Sequence, residues 1–495
     1  MVRKLVYFSI ILLSLAYQSI AAFQRNALTK VLNIKKTFGA KGDGISDDTK
    51  CFSDAADYIN KNKGNSILYI PKGIYRVGHQ KKVFENKNIP LKTNNIFGIT
   101  KCDNVLIYGD KNTSIIKYND NLYFGSFTNN LQPLQEIEVK RPFSDQNTIA
   151  DMGVCFILIN CSNINIEKLS LDGNFTKGHV NIGGGCGDAG WQITHIGIYV
   201  VNTNQLKIES INIKKFGEDG LYLWNNLVNV PNENLIILKS KFEQNGRQGI
   251  SLCSGKNILI ADCIFANTGK GILNSAPGAG IDFEPENTNG DSAFIENCDV
   301  KNCKMYNNSG PGVLLLNSSF SSHINFYNCT LVGNSYFCAW VTTKNVTFNN
   351  CNFFGTVVHN YGSDNESEAT KYNNCFFADN YKTNIAAIAN IENLPSNLYI
   401  NNYLVSSNNT NNVIYNSCKF NTLNNKTLWL NATKKYKLIN CSIVQAANIN
   451  DGIWVPFMES QNSSFKFPEK SLQFGLNFKS GNSTLDSKTQ INSAK

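Results

Sequence analysis

After its first 22 residues the sequence contains no apolar run that reaches the roughly 18 residues a membrane-spanning helix needs. No basic tract is present either. The formal charge of +9 is spread among Asn, Asp and Glu without interleaved aromatics, which argues against nucleic acid as a partner and leaves an acidic glycan compatible. Histidine is scarce, at 5 residues, and none lies near a GxSxG-type nucleophile motif, so a Ser-His-Asp triad is not expected. The GGGCG stretch at 183–187 is followed by no Lys and opens no helical pattern, which excludes a phosphate loop. Cysteine is plentiful, but its count of 15 is odd and most copies fall at one place in a repeat. They read as small buried apolar residues rather than as a disulfide framework.

The opening segment has Arg3 and Lys4, an apolar run from Leu5 to Leu15, then Ser19, Ala21 and Ala22, the order of a secretory signal. Residues 1–22 are therefore set apart from the fold, and the mature chain is expected to be secreted, extracellular or periplasmic, with no membrane partner. With 42% hydrophobic residues the chain can bury one long core.

The main signal is a repeat. DCIF at 262–265, NCKM at 302–305, NCTL at 328–331, NCNF at 350–353, NCFF at 374–377, SCKF at 417–420 and NCSI at 440–443 share one pattern. Around each Cys, apolar residues occupy offsets of minus five, minus three, zero and plus two, as two period-two strands with a one-residue phase change between them would require. Anchors at 303, 329, 351 and 375 lie 22 to 26 residues apart, too close for a βαβ unit and suited to one turn of a β-solenoid. The larger gaps, 263 to 303 and 375 to 418, call for a missed turn or an inserted loop. The Asn before each Cys fits the tight bend between strands, where its amide can bond to the Asn of the next coil. Sequons such as Asn174 and Asn345 matter only in a host that glycosylates exported proteins.

Asp47 and Asp48 precede a helical pattern in which Phe52, Ala55, Ala56 and Ile59 share one face, so either Asp can cap a helix that closes the solenoid's open end. FGAKGDGISDDTKCFSDA at 38–55, followed by ILYIPKGIYRV at 67–77, resembles the opening of the pectate-lyase-like β-helix superfamily, which includes polygalacturonases, rhamnogalacturonases, pectate lyases and phage tailspikes. The resemblance implies an all-β fold: a single-stranded right-handed parallel β-helix with an N-terminal capping helix. The helix domain is placed at 23–450, and a C-terminal cap with a mobile tail at 451–495, where Trp454 and Phe457 would cover the last coil.

Five strands align on a glycine: HIGIYVV at 195–201, EDGLYLW at 218–224, RQGISLC at 247–253, GAGIDFE at 278–284 and GPGVLLL at 310–316. One and three residues past each glycine the side chains are apolar and point inward. The opposite parity puts His195, Tyr199, Glu218, Tyr222, Trp224, Arg247, Ser251, Asp282 and Glu284 on one external face. Asp219 has inward parity unless its strand bulges, and the aligned glycines suggest a bare track for a ligand. GIDFEPEN at 280–287 is the densest acidic stretch, and the NIGGGCGDAGW insertion at 181–191 could bring His179 or Trp191 over the track. Compared with polygalacturonases, which the superfamily resemblance brings in, Glu218 and Asp219 stand at the Asp-Asp pair and Arg247 and Gln248 near the Gly-His-Gly motif. The sequence departs from that pattern in having Glu first, no His, and neither Asn-Thr-Asp nor Arg-Ile-Lys.

Three functions follow, in order. The first is hydrolysis of an acidic glycan by paired carboxylates drawn from Glu218, Asp219, Asp282 and Glu284. In it Arg247, Tyr222, Trp224, His195, Ser251 and Tyr199 bind substrate. The second is β-elimination or C5 epimerisation of a uronate. No resident metal or cofactor is expected, though Ca²⁺ held by Asp282, Glu284 and Glu286 would suit a lyase. The third is glycan binding without chemistry. The partner in each is a polysaccharide, and the sequence leaves monomer or trimer open.

Overall fold

The computed structural model describes residues 30–82, 91–134, 149–185, 192–225, 230–285, 287–288, 291–316, 321–358, 360–407, 412–424, 426–432, 436–446, 458–466, 472–474, 479–481, 484–485 and 491–493. Residues 1–22, expected to be a leader, and Trp191, Glu286, Trp454 and Phe457 lie outside them.

The period-two stretches form three parallel sheets wound about one axis, two of 15 strands and one of 11. Hydrogen-bonded neighbours in each sheet come from successive coils. One coil runs through His195–Val201, Asn204–Glu209 and Asn212–Lys214, and the next begins at Asp219–Trp224, directly beside the first. This is a single-stranded right-handed parallel β-helix. Both large gaps in the repeat are inserted loops, since Ile264–Ala266 pairs directly with Lys304–Tyr306, and Phe376–Ala378 with Lys419–Asn421.

The Asn-Cys pair makes the corner between the two 15-stranded sheets. Asn302, Asn328, Asn350, Asn374 and Asn440 are left-handed, with φ of 52–54°, a region that Asn enters at less cost than other residues with a side chain. Asn302 Nδ2 donates to Asp262 Oδ1 at 3.0 Å, and Asn328 Nδ2 to Asn302 Oδ1 at 3.1 Å, which is the expected side-chain ladder. Each thiol then donates to the carbonyl two residues back, as Cys303 does to Lys301 at 3.2 Å. Ser240 and Ser463 make the same bond at the same place, to Leu238 and Gln461. From Ser240 onward the corner thus holds a small buried side chain with one donor, whereas Leu169 and Ile211 fill the same place in two earlier coils. All 14 described cysteines are free and 13 are buried. Burial raises the Cys102 thiol to about 11 and pushes up those of Cys155, Cys298 and Cys338, which suppresses the reactive thiolate at these positions.

Inside the coils, equivalent residues stack on one another. Phe326, Phe348, Tyr372 and Tyr415 form one column with centroid spacings of 4.6, 5.1 and 5.2 Å, and Phe353, Phe377 and Phe420 form another at 4.8 and 4.7 Å. Each such pair adds about 0.5–1.5 kcal/mol beyond simple burial.

At the N-terminal end the helix Thr49–Lys61 buries Phe52, Ala55, Ala56 and Ile59, the face read from the sequence. Asn60 pairs with the strand Phe97–Thr100 as a further rung would: Nδ2 donates to Gly98 O at 2.8 Å, and Oδ1 accepts from Thr100 N at 2.9 Å. That strand ends the 11-stranded sheet, so the helix satisfies an otherwise open edge. The capping aspartates divide differently from expectation. Asp48 makes no side-chain cap and instead accepts from Lys41 N and Gly42 N, while Asp47 accepts from Thr49 N.

At the other end, the strands Met458–Gln461 and Ser464–Lys466 extend the two long sheets beyond residue 450, where the sequence reading ended the helix. The coil was missed because serine replaces cysteine at 463 and Ser460 occupies an apolar offset.

Candidate active site

The 11-stranded sheet carries the aligned glycine strands in the expected register. Ile198, Leu221, Ile250, Ile281 and Val313 follow one another across it, all fully buried. On the outer side of the same sheet the register row is Tyr199, Tyr222, Ser251, Asp282, Leu314 and Trp340.

Strict alternation fails at the glycines. A Cβ on Gly220 would lie 3.0 Å from Phe242 Cδ1 and 2.7 Å from Gly249 O, so this position faces inward, as does Leu221 after it. Two successive inward positions shift the phase and turn Asp219 outward. There it accepts from Ser251 Oγ at 2.9 Å and lies 4.0 Å from Arg247 Nε. Gln248 is turned the same way and donates to Asp282 Oδ2 at 2.8 Å. The glycine column is therefore a packing device and not a bare track: a Cβ on Gly249 would stand 2.4 Å from Gly280 O of the next coil.

Arg247 gathers the acids of the two coils on either side of its own. Its Nη1 donates to Gln192 Oε1 at 2.6 Å and to Glu218 Oε1 at 3.4 Å, and its Nη2 lies 4.0 Å from Glu284 Oε2. Asp282, hydrogen-bonded to Glu284, completes a set of four carboxyl groups around one guanidinium. The sequence places Glu218, Arg247, Asp282 and Glu284 on one face, as the structure does, but suggests an open groove there. Arg247 is 3% exposed, Ser251 1% and Asp282 0%. Arg247 and Ser251 are thus committed to internal partners and are not placed to meet a substrate, and Glu284, with 32% of its side chain exposed, is the carboxylate that reaches solvent.

His195 is the clearest correction. It is fully buried among Tyr118, Phe124, Phe175 and Phe216, and its Nδ1 accepts from Gly217 N at 2.9 Å. Burial lowers its pKa to about 3, so it is a neutral core residue. His179 is hydrogen-bonded to Asp120, at 2.7 Å. Tyr199, Tyr222 and Trp224 are half-buried on the outer face, with centroids 5.2 and 6.2 Å apart, and form an aromatic stripe leading to the acids.

Electrostatics make the cluster a proton store. Burial, then the charge of Asp219, lifts Glu218 to about 8, with Arg247 offsetting only part of the rise. Asp282 is held far above the usual carboxylate range by burial and then by Glu284. One guanidinium cannot neutralise four carboxylates, so the set keeps protons at neutral pH. No group of three or more metal-ligating side chains occurs among the described residues, and the trio Asp282, Glu284 and Glu286 lies partly outside them.

Alongside these coils, comparison with known proteins gives one family. The family described as "Rhamnogalacturonase A/epimerase, pectate lyase-like" matches residues 31–273, which include Glu218, Asp219 and Arg247 but stop short of Asp282. Residues 31–273 are thus similar to that family, and the chain as a whole folds as a right-handed parallel β-helix. Among solved structures, the N-terminal fragment of the bacteriophage phi29 gene product 12 aligns with a TM-score of 0.52 at 14% identity, over 98% of this chain and 71% of that one. The A-module of the Azotobacter vinelandii mannuronan C-5 epimerase AlgE4 gives 0.46 at 13% identity, over 93% and 99% of the two chains. ORF18 of Geobacillus virus E2 gives 0.46 at 14% identity, and the β-helix spans 62% of its length while 89% of the β-helix is covered. No curated protein matches. At such identities these structures speak for the fold alone.

Two features of the site escaped the sequence. Gln192 has no local signal tying it to Arg247. Trp340 was missed because Cys338 stands where the other strands have glycine, so FCAWV was not aligned with GPGVLLL; the alternation of Ala339 and Val341 was the signal available.

Proposed function

We propose that this β-helix is a secreted enzyme that acts on a uronate-containing polysaccharide by proton transfer at C5, as a lyase or epimerase. The observation that carries the reading is the shared-proton pair of half-exposed Glu284 and buried Asp282. Abstraction of the proton α to a uronate carboxylate builds negative charge on that carboxylate. Glu284 is the member of the pair that reaches solvent, and its hydrogen bond to the protonated acid beneath it holds it ready to take up that proton as a general base. In this assignment Glu284 is the base that meets the substrate, Asp282 tunes it from beneath through their hydrogen bond, Arg247 and Gln248 position the pair, and Tyr199, Tyr222 and Trp224 stack against the chain. The matched family's description, which includes an epimerase and pectate-lyase likeness, supports the same reading.

Hydrolysis stays as the second reading because Glu218, with a pKa raised to about 8, is protonated as a general acid must be. Purified protein incubated with uronate polymers in D₂O separates the two. Ultraviolet absorbance of an unsaturated product, or deuterium at C5 without cleavage, is expected. New reducing ends with neither signal would replace the proposal by hydrolysis, and no turnover together with glycan affinity would leave a binding protein.

A further inference from the structure

The strands Ile264–Ala266, Lys304–Tyr306 and Thr330–Val332 lie side by side, and the turns that leave them bring a lysine and a serine of different coils together. Asn267, Asn307 and Asn334 form a short ladder at these turns: Asn307 Nδ2 donates to Asn267 Oδ1 at 2.5 Å, and Asn334 Nδ2 to Asn307 Oδ1 at 2.8 Å. The ladder fixes the start of the loop that carries Lys270, whose N donates back to Asn267 O at 3.1 Å, and of the turn that carries Ser335. Lys270 Nζ meets Ser335 Oγ in a hydrogen bond between residues 65 apart in the chain. Asn334 Nδ2 also reaches Ser335 Oγ, at 3.4 Å, so its two N–H groups are divided between Asn307 and the serine. No carboxylate pairs with Lys270 among the described residues, and partial burial, unopposed, holds its ammonium below the usual lysine range.

The pair borders a pocket of about 440 Å³ on both of its sides. Tyr336, the residue after Ser335, forms the wall together with Leu314, Leu316 and Trp340. On the lysine side, a Cβ on Gly269 would lie 2.1 Å from Ser309 Oγ and 2.6 Å from Asn274 Oδ1, so the residue before Lys270 packs against two further lining residues. No Asp, Glu, Lys, Arg or His lines the pocket. A charged group entering it would lose hydration and gain no partner, whereas an apolar group gains contact with Leu and aromatic side chains.

We infer that Ser335 and Lys270 form a second catalytic centre, a serine–lysine dyad that hydrolyses esters whose apolar acyl group sits in this pocket. Lys270 Nζ takes the Ser335 hydroxyl proton as Oγ adds to the ester carbonyl. Asn334 Nδ2, the amide beside Oγ, donates to the oxyanion that forms. Collapse of the tetrahedral intermediate breaks the ester C–O bond and expels the alcohol, which takes the proton from Lys270. A water molecule, deprotonated by Lys270 in turn, then adds to the acyl-serine and releases the carboxylic acid and free Ser335. The dyad stands apart from the carboxylates around Arg247 and does not depend on their chemistry.

The test is hydrolysis of three p-nitrophenyl esters: the acetate, the hexanoate and the half-ester of adipate, which ends in a carboxylate. The hexanoate is expected to exceed each of the others in kcat/KM by roughly tenfold or more. Ser335→Ala and Lys270→Met should each lower kcat on the hexanoate by roughly 10²-fold or more, with far-ultraviolet circular dichroism confirming that both variants fold. Lys270→Arg, which keeps the charge and the donor but cannot accept the proton, should not restore activity. A fluorophosphonate should label Ser335, as read by peptide mass mapping. Hexanoate hydrolysis no faster than in protein-free buffer, activity retained in Ser335→Ala or in Lys270→Arg, or a label on another residue would overturn the dyad. An adipate half-ester cleaved as fast as the hexanoate would overturn the pocket as the acyl site. Ser335-dependent ester hydrolysis by a protein that turns over no uronate polymer would uphold the dyad while rejecting the chemistry proposed for the acidic cluster.

Discussion

Two clusters of charge, both near aromatic residues, behave in opposite ways. Asp120 is a single carboxylate surrounded by Arg76 at 2.6 Å, Asn174 at 2.7 Å and His179 at 2.7 Å. Burial works against its charge, yet the bonds from Arg76, Asn174 and His179 outweigh it and hold the group well below the usual carboxylate range. Around Arg247 the ratio is reversed, with four acids to one cation, and the pKa values of Glu218 and Asp282 rise. A fold that needs only a stable polar contact can balance its charges, as at Asp120. An excess of buried acid costs stability, and such perturbation concentrates where chemistry is done.

The largest effect that would sharpen this contrast is on turnover. Glu284→Gln should lower kcat on a uronate polymer by roughly 10² to 10⁴-fold, the usual contribution of a positioned acid or base, while Asp120→Asn leaves kcat near wild type. Steady-state kinetics on the two variants read this directly, and equal losses would remove the distinction between the clusters.

Next in size is stability. Arg247→Met takes the one cation from four acids and should cost about 3–5 kcal/mol in urea unfolding, as expected when a buried charge set loses its partner. A cost below about 1 kcal/mol would mean that the acids had simply taken up protons. The smallest effect belongs to Asp120→Asn, at about 1 kcal/mol, because 43% of the Asp120 side chain is exposed and solvent screens its ion pair with Arg76.

Much of this arrangement was legible in the sequence, and the failures share a cause. The Cys offsets gave the coil, and the glycine alignment gave the register from Ile198 to Val313, because both reflect local geometry repeated at every turn. Extending period two backwards across a glycine put His195 outside and left Asp219 inside, whereas the structure has the reverse: the glycine column carries a one-residue phase change that only inter-coil packing fixes. The seclusion of Asp282 and Arg247 was equally invisible, since it depends on Gln192, 55 residues from Arg247 in the chain. Trp340 was lost for want of a glycine to align it.

The account turns on protons held by the acidic cluster near neutral pH, and linkage measures them. Glu218, raised from 4.5 to about 8, favours the folded state only while protonated, so its contribution is full below pH 4.5 and is lost as pH rises through 8. His195, lowered from 6.5 to about 3, acts in the opposite sense below pH 6.5, which makes the interval from about 6.5 to 8 the informative one. Urea unfolding across that interval should show wild-type stability falling with pH, and a shallower fall in Glu218→Gln. Parallel curves for the two proteins, or stability that rises with pH in both, would contradict the claim that the acidic cluster holds its protons at neutral pH.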